Sequence, residues 1–171
     1  ELADNLIGGI CKTTPERFTT AGKMGIPQVI LPGALDMVNF RTENIPLEFS
    51  NRQFYRHTES VLLMRTNECE LREIADVLAN NVNQSVGPTV LVIPLQGWSD
   101  YDIKNGVSTV DYYGKPLHSR WHNPDASKIF LESLKRNLDF SRKNIELLTP
   151  NLHISDPKCA EYTAKIIHNK I

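Results

Sequence analysis

Val90-Leu91-Val92-Ile93, with Thr89 before it and Pro94-Leu95 after it, is apolar at consecutive positions. Successive strand side chains point to opposite faces, so a strand of this composition needs cover on both, as in a parallel sheet flanked by helices. The preceding segment offers such a helix. Leu71, Ile74, Ala75, Leu78, Ala79 and Val82 fall at helical spacing, Asn67 stands three residues before Glu70 as a cap signature, and Gly87-Pro88 breaks the pattern.

Other apolar runs of strand length are Leu6 to Ile10, Ile26 to Pro32, Val61 to Arg65 and Asn144 to Thr149. Helices are expected from about residue 14 to Met24, where Thr13 and Glu16 match a capping box around Pro15, from Asp125 through Leu138, and from Asp156-Pro157 onward. Arg41 to His57 reads as a long connection with a short helix or edge segment. Five alternations predict an α/β fold: a doubly wound, mostly parallel five-stranded sheet with helices on both faces, a Rossmann-like three-layer sandwich. An excursion rich in Gly, Asp, Tyr, Trp and His, at about 97–124, interrupts it, with a hairpin expected over Val107 to Pro116. Glu1 to Leu6 reads as the tail of a helix cut midway. The expectation is one domain over 1–171, the C-terminal half of a longer two-domain region.

Composition narrows the function. With 40% hydrophobic and 23% charged residues, the chain is not disordered, collagenous or a coiled coil. At 171 residues it can bury about 70% of its unfolded surface without disulfide or metal. A net charge of -1 lacks the basic excess that a nucleic-acid binder needs. Cys11, Cys69 and Cys159 are odd in number and unpaired in spacing, which predicts free thiols. No apolar run reaches the length of a membrane span, and no basic-then-apolar leader is seen, so the expected compartment is the cytoplasm.

In open α/β sheets ligands bind beyond the carboxyl ends of the strands. The residues expected there are Lys12, Thr13 and Thr14; Gly33, Asp36 and Asn39; Arg65, Thr66 and Asn67; Gln96, Gly97, Ser99 and Asp100; and Asn151, His153 and Asp156. Several of these loops open onto helix N-termini, which favours a phosphate or carboxylate ligand. Thr13, Asn67, Asp125 and Asp156 are equally well explained as caps, and Gly33 and Gly97 as turn residues. Asp36 stands among Ala34, Leu35, Met37 and Val38, where a carboxylate needs a partner or a role, and Arg65 is a candidate for either partner or anion ligand. His153 with Asp156 offers an acid-base pair. His118 and His122 are four apart, but Pro116, Asn123 and Pro124 oppose the helix that a zinc pair would need, so no metal site is expected. Trp98, Tyr101, Tyr112, Tyr113 and Trp121 suit a lid or a subunit contact. There is no GxxxxGK[ST], GxGxxG or GxSxG, and Gly8-Gly9 alone is weak.

Gly25-Ile26-Pro27-Gln28-Val29, the block from Gly33 to Phe40, Leu63-Met64-Arg65-Thr66-Asn67, Pro94 to Ser99 and His153 to Pro157 together resemble the family that includes the tomato mosaic virus resistance protein. The resemblance implies two successive α/β domains, the first binding ATP with Mg, of which this chain is similar to the second. It implies partners in the upstream domain, a small-molecule ligand and a homo-oligomer. In the plant protein that region binds a viral replication protein and blocks RNA synthesis, a lineage-specific role that does not transfer; bacterial and fungal relatives are largely of unknown function. This sequence departs from the family at Cys11-Lys12-Thr13-Thr14, at Ser155 in place of an Asn, and in a longer aromatic excursion. The resulting expectation is a nucleotide-associated protein whose second domain closes a ligand cleft. Its ligand-binding candidates are Gly33, Asp36, Asn39, Arg65, Asn67, Gly97 and Ser99, and its catalytic candidates are Asp36 and His153. The alternative is a non-catalytic scaffold or interaction domain.

Overall fold

The computed structural model describes residues 1–14 and 16–170. In chain order they form α1 (Leu2–Ile7), α2 (Thr20–Lys23), β1 (Gln28–Ile30), β2 (Met37–Arg41), a 3-10 turn (Leu47–Phe49), β3 (Phe54–Arg56), β4 (Val61–Arg65) and α3 (Glu68–Val82). Then come β5 (Thr89–Val92), β6 (Ser108–Val110), β7 (Pro116–Arg120), α4 (Ala126–Asn137), β8 (Ile145–Leu148) and α5 (Pro157–Lys170).

The strands do not form one doubly wound sheet. β1, β5 and β8 make a three-stranded parallel sheet in the order β1-β5-β8, and the others make a separate five-stranded antiparallel sheet in the order β2-β4-β3-β6-β7. The expected mostly parallel five-stranded sandwich is therefore incorrect. The reason is that a strand's apolar run carries no direction. β4, α3 and β5 read like one crossover unit, yet β4 pairs antiparallel with β2, Met37 facing Arg65 and Arg41 facing Val61, while β5 pairs parallel with β1 and β8. α3 links two sheets.

Two more expectations change. Leu6 to Ile10 is no strand: α1 runs to Ile7 and Gly8 closes it at φ 106, its N-H donating to the Asp4 carbonyl at 3.0 Å. The helix expected from residue 14 to Met24 shrinks to α2 behind Phe18, whose φ of 68 is incompatible with continuing a helix. The cap assigned around Pro15 falls partly outside the described residues.

β5 is covered on both faces, as its composition demands. Val90 and Val92 meet Ile166 and Tyr162 of α5, whereas Leu91 and Ile93 face the main core with α3 and α4. α3 begins in a complete capping box, Glu70 N-H donating to the Asn67 side chain and Asn67 N-H to the Glu70 carboxylate, and buries all six residues of its predicted apolar face. Each contributes about 1–3 kcal/mol of transfer free energy, less for the alanines. Val38, Phe40, Phe54, Leu62 and Met64 line the core side of the antiparallel sheet; Met37, Leu63 and Trp121 pack together on its other face. Among the described residues no helix is long and apolar enough to cross a membrane.

Candidate functional site

Asp36 lies in the turn that brings β1 into β2, and that turn is tied to the excursion by Ala34 N-H donating to the Trp98 carbonyl at 2.8 Å. The Asp36 side chain is wholly buried. Its Oδ2 accepts from Ser99 Oγ at 2.6 Å and from Trp121 Nε1 at 2.7 Å, while Oδ1 is buried without a hydrogen-bond partner among the described residues. Burial raises the pKa of this carboxyl above its ordinary value, against the opposing pull of the Arg65 charge and of those two donors.

Arg65, at the end of β4, is also buried. It meets Asp36 through the backbone: Nη1 donates to the Asp36 carbonyl at 2.9 Å, and Nε donates to the Trp121 carbonyl at 2.9 Å. Its guanidinium carbon stands 5.6 Å from the Trp121 ring centroid. The carboxylate that faces it is Asp102, whose Oδ1 is 3.7 Å from Nη2, too long for a hydrogen bond. That same oxygen accepts from His122 Nδ1 at 3.0 Å and from Asn123 N-H at 3.3 Å.

These groups back an open cleft of about 500 Å³, at the end of the antiparallel sheet, whose wall includes Arg52, Arg65, Asn67, Glu68, Arg120 and His122. Arg52 makes a two-pronged pair with Glu70 at 2.7 Å on each side and donates to the Arg65 carbonyl at 2.7 Å. Among the described residues Arg120 donates through Nη1, to the Gly106 carbonyl and Ser108 Oγ at 3.0 and 3.2 Å. Asn67 borders the cleft, but its side chain serves the cap of α3.

The other expected site residues are dispersed. Asn39 belongs to a separate polar knot, its side chain donating to Asp4 Oδ2 at 2.8 Å and its backbone N-H to Oδ1 at 2.9 Å. Gly97, at φ 126, is packed so closely that a methyl group there would collide with the Asp102 carbonyl oxygen and come within 2.8 Å of the His153 ring. His153 accepts from Ser155 N-H at 3.1 Å through Nδ1, while its Nε2 is buried without a hydrogen-bond partner among the described residues. Asp156 caps α5 by accepting from Lys158 N-H at 2.9 Å, and no hydrogen bond joins its carboxylate to His153. A methyl group at Gly33 would sit 3.0 Å from Ile154 Cδ1. The Gln96 and Asn151 side chains bond each other, as do Ser155 and Asp100. Asp125 starts α4 without a side-chain cap; its N-H donates to Asn123 Oδ1 at 3.0 Å. Among the described residues no group of three or more His, Cys, Asp or Glu could hold a metal ion.

Sequence reasoning therefore assembled Asp36, Arg65 and Ser99 but missed Asp102, Arg52 and Arg120, and met His122 only as a zinc candidate. Asp36, Arg65 and His153 carry the buried side-chain atoms that lack a hydrogen-bond partner among the described residues. Asp102 had no periodicity around it to mark it as buried. Of the aromatic residues in the excursion, Trp98 and Trp121 are each 1% exposed, Tyr101 and Tyr112 are half-buried, and Tyr113 is outermost at 74%.

Comparison with known proteins places the whole chain. A UPF0261 protein of Clostridium tetani is 35% identical over 170 residues, 99% of this chain and 38% of that protein. One of Rhizobium meliloti is 35% identical over 163 residues, 94% of this chain and 37% of its own length. The ToMV resistance protein Tm-1 of Solanum lycopersicum is 31% identical over 161 residues, 94% of this chain and 20% of the plant protein. The chain thus spans less than two fifths of these bacterial relatives and a fifth of the plant one. The model of the uncharacterised protein family UPF0261, C-terminal domain, matches residues 1–171, and the chain belongs to that family.

Proposed function

We propose that this domain binds a phosphate- or carboxylate-bearing small molecule in the cleft beside Arg65, Arg120 and His122, and that in a longer polypeptide it closes a ligand cleft against an upstream ATP-binding domain. The observation that carries the reading is the make-up of the cleft wall, three arginines and a histidine against one glutamate. Arg52 is neutralised by Glu70 and Arg65 faces Asp102, which leaves Arg120 as the permanent cation available to a ligand, with the His122 ring in the same wall. Neutral donors and acceptors for the rest of a molecule come from Asn51, Gln53 and Asn123. ATP and Mg enter this reading through the upstream domain.

Calorimetric titration of inorganic phosphate and of Mg-ATP, into this chain and into a longer polypeptide, tests it. Mg-ATP is expected to bind the longer form alone. Phosphate is expected to bind both, about tenfold more weakly after Arg120→Ala, as for loss of one charge-assisted contact. Phosphate binding that ignores this substitution contradicts the reading.

The scaffold reading rests on Met24, Ile26 and Val86, which are 69%, 47% and 64% exposed around the Gly22 to Val86 backbone bond. It expects sedimentation of the longer polypeptide to show an oligomer that Met24→Ser with Val86→Ser dissociates; an unchanged mass removes it.

A further inference from the structure

We infer that the anion binds in this cleft together with one proton, which His122 takes up on the ring nitrogen facing away from Asp102. The inference rests on the proposed anion site and concerns how that site discriminates charge.

Asp102 is buried, and its Oδ1 lies 3.0 Å from His122 Nδ1. A carboxylate only accepts, so Nδ1 carries the ring's first proton. Arg65 Nη2 stands 3.7 Å from the same oxygen, which also accepts from Asn123 N-H at 3.3 Å. In the neutral ring Nε2 is then a lone pair. It makes no hydrogen bond among the described residues, it is not sealed from solvent, and the ring borders the cleft. A lone pair repels an anion, whereas a second proton turns the same atom into a charged donor.

The charged groups around the ring come from every neighbouring element. They are Arg65 from β4, Arg52 from the segment before β3, Glu68 from α3, Arg120 from β7 and Asp102 from the excursion. Arginine keeps its charge at any accessible pH, and carboxylates ordinarily ionise below pH 5, whereas imidazole ordinarily changes charge between pH 5 and 8. Asp36 is the carboxyl displaced upward. It stands behind Trp121 and is not part of the cleft wall.

Sulfate stays a dianion over the range in which imidazole titrates and serves as the probe. Its affinity for the full polypeptide is measured by calorimetry from pH 5.5 to 8.5, in pairs of buffers with different ionisation enthalpies. The wild type is expected to lose about tenfold in affinity as pH rises and to take up protons on binding, up to one per sulfate. His122→Asn, which retains a donor toward Asp102, is expected to bind sulfate more weakly with neither dependence. Sulfate binding without proton uptake overturns the inference and leaves the anion site standing. Uptake that survives His122→Asn but disappears in Asp36→Asn overturns it also. No sulfate binding at any pH overturns the anion site and the inference together.

Discussion

The indole nitrogen of Trp121 donates a 2.7 Å hydrogen bond to the carboxylate of Asp36, across 85 residues of sequence. The same tryptophan's carbonyl receives Arg65 Nε at 2.9 Å. The strand-end turn of Asp36, the end of β4 and the end of the β6–β7 hairpin are thus joined at one residue.

Replacing Trp121 by Phe keeps an aromatic ring and removes the donor. With Asp36 left on Ser99 alone, the loss is expected to be about 3 kcal/mol in urea unfolding, because a fully buried carboxyl loses one of the two donors to its Oδ2. Trp98→Phe is the matched control. Its indole N-H donates to the neutral Pro94 carbonyl at 2.9 Å, and a loss of about 1 kcal/mol is expected there. Equal losses at the two sites would argue against a special role for the Asp36 contact.

Asp36 also sets a pH dependence with a definite sign. Burial raises its folded-state pKa above the ordinary value of 3.8, so the native state binds more protons than the unfolded state between the two values. This group's contribution to stability therefore falls as pH rises from about 4 through the folded-state value, and levels off above it. In unfolding curves of wild type and Asp36→Asn from pH 4 to 8, the balance is expected to move toward the Asn form as pH rises. A balance that moves the other way would show that Arg65 outweighs burial.

Gly97 tests the coupling between the parallel-sheet loops and the cleft. Gly97→Ala introduces a side chain at φ 126 and pushes it onto the Asp102 carbonyl, an atom that cannot swing aside as a flexible side chain can. Backbone strain alone is expected to cost roughly 1–3 kcal/mol, and the displaced Asp102 should change the His122 ring signals in an NMR spectrum. Gly8→Ala meets no atom within 4 Å at φ 106 and should leave those signals in place.

Some of this was open to sequence reasoning. Asn67, Glu70 and the apolar stripe from Leu71 to Val82 are local, and the helix they specify is there. Asp36 and Arg65 announced themselves as charges within apolar runs. Sheet membership was not legible, because Val61 to Arg65 and Thr89 to Val92 differ in partners rather than in composition. Asp4 looked like an ordinary helix residue. It is 1% exposed, and a methyl group at Gly9 would collide with its carboxylate, a relation made entirely by tertiary packing with Asn39. Asp102 and His122 meet only once the excursion folds back.

The anion cleft is tested most directly by NMR of the full polypeptide labelled on arginine and histidine side chains, titrated with inorganic phosphate. The expected result is saturable movement of the Arg120 and His122 signals, and of Arg65 behind them, with Arg17 at the separate cavity beside β1 unmoved. Movement at Arg17 with Arg120 and His122 still, or no saturable movement at all, would contradict the account.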